Sequence, residues 1–306
     1  MTGPVVECVP NFSEGSDPRR IETIVAAMRV DGVHLLDWAM DTDHNRSVVT
    51  IAGEPAAVVE SAVRGAGKAA ELIDLTRQQG AYPRIGAADV IPFVPVSGIK
   101  LEQCVLLARQ AGLEIWRRFG IPVYFYESAA SRPDRANLED VRRGQFEELR
   151  EAARKDAARR PDVGGPGLHP TAGACAVGAR KFLVAYNIFL DSTDVAVARA
   201  IAREIRTAAL GLKGVKALGL TAHGRAQLSI NISDFQATPI SEVYKAVSKL
   251  AVRHKTAPVE GEVIGLIPDA ACERESEWMR QLIEFDPAAK ILENRLASPL
   301  AWPDRG

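Results

Sequence analysis

Residues 226–232 read AQLSINI, so Leu228, Ile230 and Ile232 alternate with Gln227, Ser229 and Asn231. An alternation of period two marks a strand with one apolar and one polar face. The segment therefore predicts a sheet covered by helices on one side and open on the other. The polar face has two readings: it meets water, as one side of an antiparallel sheet commonly does, or it floors a cleft.

Working outward, strands are expected at 181–189 and 215–221, with a helix over 193–209 between them. A helix over 241–254 and a strand at 263–267 follow, giving the order β-α-β-β-α-β. The amino-terminal half repeats that order, with strands at 5–9, 33–38, 47–52 and 90–96 and helices opening at Asp17-Pro18 and running over 55–75. Asp suits an N-cap and Pro the first helical position. Ile21, Ile24, Val25 and Met28 then share one face. The expected fold is α/β (α+β): two sandwich subdomains over 1–178 and 179–306, each a split β-α-β unit with helices on one sheet face, and a cleft between them.

Between the repeats, residues 137–160 carry alternating Arg and Glu, the pattern of a solvated helix face. They lead into PDVGGPGLHPTAG at 161–173, where Gly164, Gly165, Pro166, Gly167 and Pro170 exclude regular structure. An ordered loop of this kind lets a flat ligand approach the backbone.

The 306 residues are 47% hydrophobic and 25% charged, the makeup of a globular protein, and the net charge of −1 supplies no attraction to nucleic acid or an anionic membrane. Cys8, Cys104, Cys175 and Cys272 have neither CxxC nor Cys-His spacing, so reduced thiols are expected rather than a zinc site or disulfides. No leader or membrane-spanning run is read, and the expected location is the cytoplasm. Motifs for dinucleotide binding, P-loop hydrolysis, serine esterase and zincin chemistry are missing from the sequence.

Three polar clusters follow or join strands: 10–15, 41–46 and 80–86. Asp41, Asp43 and His44 have no distal partner in the sequence and are read as a turn, not a metal site. VECVPNFSEG (6–15), DHNRSVVTIAG (43–53), AYPRIGAADVIPFVPVSGI (81–99), QCVL (103–106), PVYFYESAA (122–130), the run 161–190 and AQLSINISDFQ (226–236) together resemble the formiminotransferase domain of glutamate formimidoyltransferases. The resemblance runs over residues 5–268. It implies formimino transfer from N-formiminoglutamate to tetrahydrofolate in histidine degradation, with tetrahydrofolate as co-substrate and no metal. Folate and a small acidic amino-acid derivative are then the partners, and a homodimer is left open. The cyclodeaminase fused to this domain in eukaryotic relatives is expected to be absent.

The resemblance also implies a folate-binding loop made of Gly164, Gly165, Pro166, Gly167, Leu168, His169, Pro170, Thr171, Ala172 and Gly173. The family motif GEHPR, whose His is the acid/base, here reads Gly80-Ala81-Tyr82-Pro83-Arg84. Transfer removes a proton from the attacking folate nitrogen and delivers one to the departing glutamate nitrogen, work that suits imidazole near neutral pH. Three assignments stay open. Tyr82 acts as acid or orienting hydroxyl with His44 or His169 as base; or Arg46 or Arg84 lowers the Tyr82 pKa; or the chain binds folate as a paralogue with weak or different one-carbon transfer. A structural domain reusing the fold is the competing class. Asn11, Arg46, Arg84, Asn187 and Asn231 are the candidate substrate-binding groups, because Arg grips a carboxylate through paired hydrogen bonds.

Overall fold

The computed structural model describes residues 3–80, 83–206, 210 and 212–304. The chain divides into two compact units, one running through Arg180 and joined again from Pro299, the other Lys181–Ser298. The segment from Pro299 was expected in the second half. It returns to the first unit because the Leu300 amide donates to the Leu35 carbonyl at 2.8 Å and Leu300 and Trp302 pack on the first core.

The first unit begins with β1 (Val5–Cys8), β2 (Asn11–Phe12), α1 (Pro18–Ala27), β3 (Val33–Asp41), β4 (Arg46–Gly53), α2 (Pro55–Leu72) and β5 (Ala88–Ser97). Asp17 caps α1 as expected, its carboxylate accepting the Arg19 amide at 3.0 Å. The strands β1 and β2 share one position in the sheet, between β4 and β5, and β3 flanks β4. Ile21, Ile24, Val25, Val58, Ala62 and Ala66 carry the helices onto the sheet. Each large aliphatic side chain taken out of water there contributes about 1.5–3 kcal/mol.

The stretch between the repeats extends this sheet. The helix α3 (Leu101–Phe119) leads to β6 (Val123–Glu127); α4 (Leu138–Val141) and α5 (Gln145–Lys155) then lead to β7 (Cys175–Ala179). Both β6 and β5 run parallel to β7, which lies between them. Helical crossovers supply the length that parallel pairing requires.

The second unit contains β8 (Val184–Leu190), α6 (Val195–Ile205), β9 (Val215–Ala222), β10 (Arg225–Ile232), α7 (Ile240–Arg253) and β11 (Pro258–Ile264), then the short helices α8 (Glu277–Arg280), α9 (Pro287–Lys290) and α10 (Leu292–Ala297). Its antiparallel sheet has the order β11-β8-β10-β9, which matches β5-β1-β4-β3 of the first unit position for position. Leu228, Ile230 and Ile232 join the core with Ile201, Val243 and Val247. The opposite face carries Gln227, Ser229 and Asn231, with Asn187 opposite Ser229.

Candidate functional site

The strands β3 and β4 form a hairpin that opens with Asp41 paired to Arg46. Its turn is completed by Asn45 at φ 48°, a left-handed conformation that Asn tolerates better than most residues. The Asn45 side chain accepts the Gly15 amide at 2.9 Å and donates to the Gln79 carbonyl at 2.6 Å, while its own carbonyl accepts Gln78 Nε2 at 3.1 Å. One residue thus ties the segment after β2, the hairpin and the approach to Gly80 together. The packing is close enough that a Cβ on Gly15 would lie 2.1 Å from the Asp41 carbonyl oxygen.

The three polar clusters consequently meet in one small pocket, lined by Phe12, Ser13, His44, Asn45, Arg46, Pro83, Arg84 and Asp89. His44 is buried. Its Nδ1 lies 2.7 Å from Asp41 Oδ2, and its backbone amide donates to Asp41 Oδ1 at 2.9 Å. Burial pushes the Asp41 carboxyl up, but the hydrogen bonds from the His44 ring and backbone outweigh it and leave it below the ordinary carboxylate range. Arg46 donates from Nε to Asn11 Oδ1 at 2.8 Å and also from Nη2, and Asn11 is held in turn by the Val9 carbonyl at 2.7 Å. Tyr82 and Ala81 lie outside the described residues.

Arg84, expected to grip a substrate carboxylate, is engaged by the protein. Nε donates to Gln78 Oε1 at 2.6 Å, Nη2 to the Gln78 carbonyl at 2.9 Å, and both terminal nitrogens to the Glu147 carboxylate at 2.7 and 2.9 Å. The Phe146 amide donates to the Arg84 carbonyl at 3.0 Å. Asp89 receives the Ile85 amide at 2.8 Å on one oxygen and Arg142 Nη2 on the other, with both side chains buried. The charged stretch 137–160 therefore does more than meet water: Arg142 and Glu147 bracket the backbone from Arg84 to Asp89.

The loop 164–173 is anchored at both ends. On entry, Asp162 accepts the Phe125 amide at 2.8 Å and Arg135 Nη1 at 2.6 Å. On exit, Ala87 N donates to the Ala172 carbonyl and Ala174 N to the Ile85 carbonyl, both at 2.9 Å. Gly173 has φ 70°, and a Cβ there would lie 2.1 Å from the Ile85 oxygen, so glycine is required twice over. Gly164, Gly165 and Pro166 are exposed and joined in part by a cis Gly165–Pro166 bond; Gly167 is half-buried, Leu168 and Ala172 are buried, Pro170 is exposed and Thr171 half-buried. His169 closes the turn: its Nδ1 accepts the Ala172 amide at 3.0 Å and the Thr171 amide at 3.4 Å. Burial holds its pKa below the ordinary imidazole value.

Asn187 and Asn231 belong to the second unit, on the sheet face away from its helices; Asn187 Nδ2 donates to Glu262 Oε2 at 3.4 Å. The four cysteines are free thiols. Burial raises the pKa of Cys8 and Cys175 well above the ordinary value and pushes Cys104 and Cys272 up to about 11, which disfavours a thiolate nucleophile. Among the described residues no His, Cys, Asp and Glu group of three or more is arranged to hold a metal ion, and no helix is long and apolar enough to cross a membrane.

Residues 5–180 match the model of the formiminotransferase domain's N-terminal subdomain, and residues 185–291 match that of the formiminotransferase domain. The chain belongs to the formiminotransferase family. Relatives include a glutamate formimidoyltransferase of Thermoplasma acidophilum, 43% identical over 95% of this chain and 97% of the relative. Another, from Streptococcus pyogenes serotype M1, is 41% identical over 95% and 98%. The formimidoyltransferase-cyclodeaminase of Mus musculus is 38% identical, with 95% of this chain matching 56% of the mouse protein.

In this formiminotransferase-family chain the residues that sequence reading passed over are Asp41 as the partner of His44, Asn45 as the cross-link, and Arg142 and Glu147 as the bracket. Only the first left a signal: Asp41 and His44 stand three residues apart in a turn, near enough for one side chain to reach the other.

Proposed function

We propose that the chain is a glutamate formimidoyltransferase, moving the formimino group of N-formiminoglutamate to tetrahydrofolate with release of glutamate. The observation that carries this reading is the hydrogen-bonded junction of Ile85 and Ala87 with Ala172 and Ala174. It ties the segment following Tyr82 directly to the loop for which the family resemblance implies folate binding. The loop suits a flat ligand, because Gly164, Gly165 and Pro166 are exposed and the flat Trp116 ring packs against Gly164, where a Cβ would lie 2.6 Å from it.

Bound tetrahydrofolate supplies the nucleophilic nitrogen, N5. In this reading Asp41 accepts the Nδ1 proton of His44, which leaves the lone pair on Nε2. Nε2 takes the proton that N5 loses as the bond from N5 to the formimino carbon forms. His44 then delivers that proton to the glutamate nitrogen as the bond between carbon and that nitrogen breaks. The Asp41 carboxylate stabilises the intervening imidazolium. Arg46, set by Asn11, is the cation offered to a glutamate carboxylate. Arg84 serves to hold the Pro83–Gly86 backbone. Tyr82 acts as an orienting hydroxyl or acid.

The test is glutamate release from N-formiminoglutamate, with and without tetrahydrofolate. Folate-dependent release is expected. Folate binding by calorimetry without any release would favour the binding paralogue, and neither binding nor release would favour a domain that reuses the fold for another purpose.

A further inference from the structure

The reaction needs one group that carries a proton, and two histidines of the first unit, His44 in the pocket and His169 in the 164–173 loop, have Nδ1 atoms held in opposite ways. At His44, Nδ1 faces a carboxylate, Asp41 Oδ2 at 2.7 Å. A carboxylate only accepts, so the ring proton sits on Nδ1 and the lone pair on Nε2. At His169, Nδ1 faces two backbone amides, Ala172 N at 3.0 Å and Thr171 N at 3.4 Å. A backbone N–H only donates, so the lone pair sits on Nδ1 and the ring proton on Nε2.

We propose that the two histidines are locked in opposite tautomers and divided in role: His44 carries the proton, whereas His169 presents a fixed Nε2–H to an acceptor atom of the bound folate. This inference rests on the folate-loop reading above for its ligand, but not for its tautomers. His169 cannot serve as a base through Nε2, because that nitrogen already holds a proton. Nor can it serve as a base through Nδ1 without breaking the turn that ends in Gly173, since a protonated Nδ1 would oppose two amide hydrogens. It cannot act as a general acid either, because a neutral imidazole that gives up its last proton becomes an anion. What remains is hydrogen-bond donation from a group that pays no reorientation on binding. The same two amides that set the tautomer are part of the loop, so the donor and the backbone at the loop's exit are positioned by one device.

Imidazole nitrogen chemical shifts of the ¹⁵N-labelled protein at pH 8, without folate, test the tautomers; signals are assigned by comparison with His44→Asn and His169→Asn. Expected are a protonated Nε2 and an acceptor Nδ1 for His169, and the reverse for His44. A protonated Nδ1 on His169, or the same tautomer on both rings, would overturn the proposal. Two replacements test the ligand half. Asn places an acceptor near the position of Nδ1, and Gln places a donor near that of Nε2. His169→Asn is therefore expected to melt like the native protein while binding reduced folate about tenfold more weakly. His169→Gln is expected to melt lower while keeping more of the affinity. Unchanged affinity in His169→Asn would refute the donor role. A native protein with the expected tautomers that binds no reduced folate would instead defeat the folate reading and, with it, the ligand half of the proposal.

Discussion

Glu147 holds Arg84 through both carboxylate oxygens, at 2.7 and 2.9 Å, although the two residues stand 63 positions apart. Arg84 is buried while more than half of the Glu147 side chain is exposed, so the pair links the inner wall of the pocket to the surface helix α5. The Arg84 guanidinium in turn draws the Glu147 carboxyl below its ordinary range.

Replacing Glu147 by Ala leaves a buried guanidinium with its Gln78 contacts and a long one to Gln145 Oε1 at 3.4 Å. Water reaches the vacated position, so the expected loss of stability is modest, about 1–2 kcal/mol by urea denaturation. Arg84→Lys should cost a similar amount, because an ammonium cannot make the paired contact. Turnover should fall in both while substrate affinity changes little; an affinity loss with normal turnover would return Arg84 to the substrate-gripping role.

Asp89 and Arg142 form the more deeply buried pair. Asp89→Asn can still accept the Ile85 amide but removes the carboxylate that faces the Arg142 charge, with an expected loss of about 3 kcal/mol. Asp89→Asn combined with Arg142→Met should recover part of that loss. A strictly additive double-mutant cycle would show that the two side chains do not depend on each other.

Asp41→Asn should leave the hairpin in place yet lower kcat about 100-fold or more, because an amide no longer fixes the His44 tautomer. Tyr82→His, alone or with Ala81→Glu, should raise turnover and move the optimum toward the range where imidazole titrates. Native-level rates in Tyr82→Phe would remove that position from the proton path.

The pH dependence of stability has two expected steps. The Asp41 pKa is depressed from its ordinary 3.8, so the unfolded chain binds that proton first as pH falls. Its contribution is complete above about pH 4 and is lost as pH falls through the folded-state value. The His169 pKa is depressed from 6.5, and the same sign applies: its contribution is complete above about pH 6.5 and lost on acidification below that. Melting curves from pH 8 to 3 should show both losses, with His169→Asn removing the upper one and Asp41→Asn the lower.

How far these features could be read in advance depended on the range of the interaction. Leu228, Ile230 and Ile232 announced their strand because a period of two is a local property, and Asp17-Pro18 announced a helix start for the same reason. The strand β11 falls at Pro258–Ile264 rather than 263–267, since Pro258, Gly261 and the acidic Glu260 and Glu262 mask its pattern. The parallel strands β6 and β7 attach through a crossover whose pairing no local pattern encodes. Arg142 and Glu147 look like solvated charges because an Arg and Glu alternation reads the same whether its partners are water or Asp89 and Arg84. Asn45 joins segments 29 to 34 residues away, which composition cannot reveal.

The return of the chain at Pro299 gives the second unit the topology of an insertion, tethered at Arg180–Lys181 and again at Ser298–Pro299. Tension applied between residue 3 and residue 304 would load the first unit's closure of Leu300 on Leu35 before it reached the strands of the second. A single proteolytic nick within 181–298 would likewise leave both fragments covalently attached to first-unit sequence. Release of that unit as a free fragment takes two cuts, one at each tether.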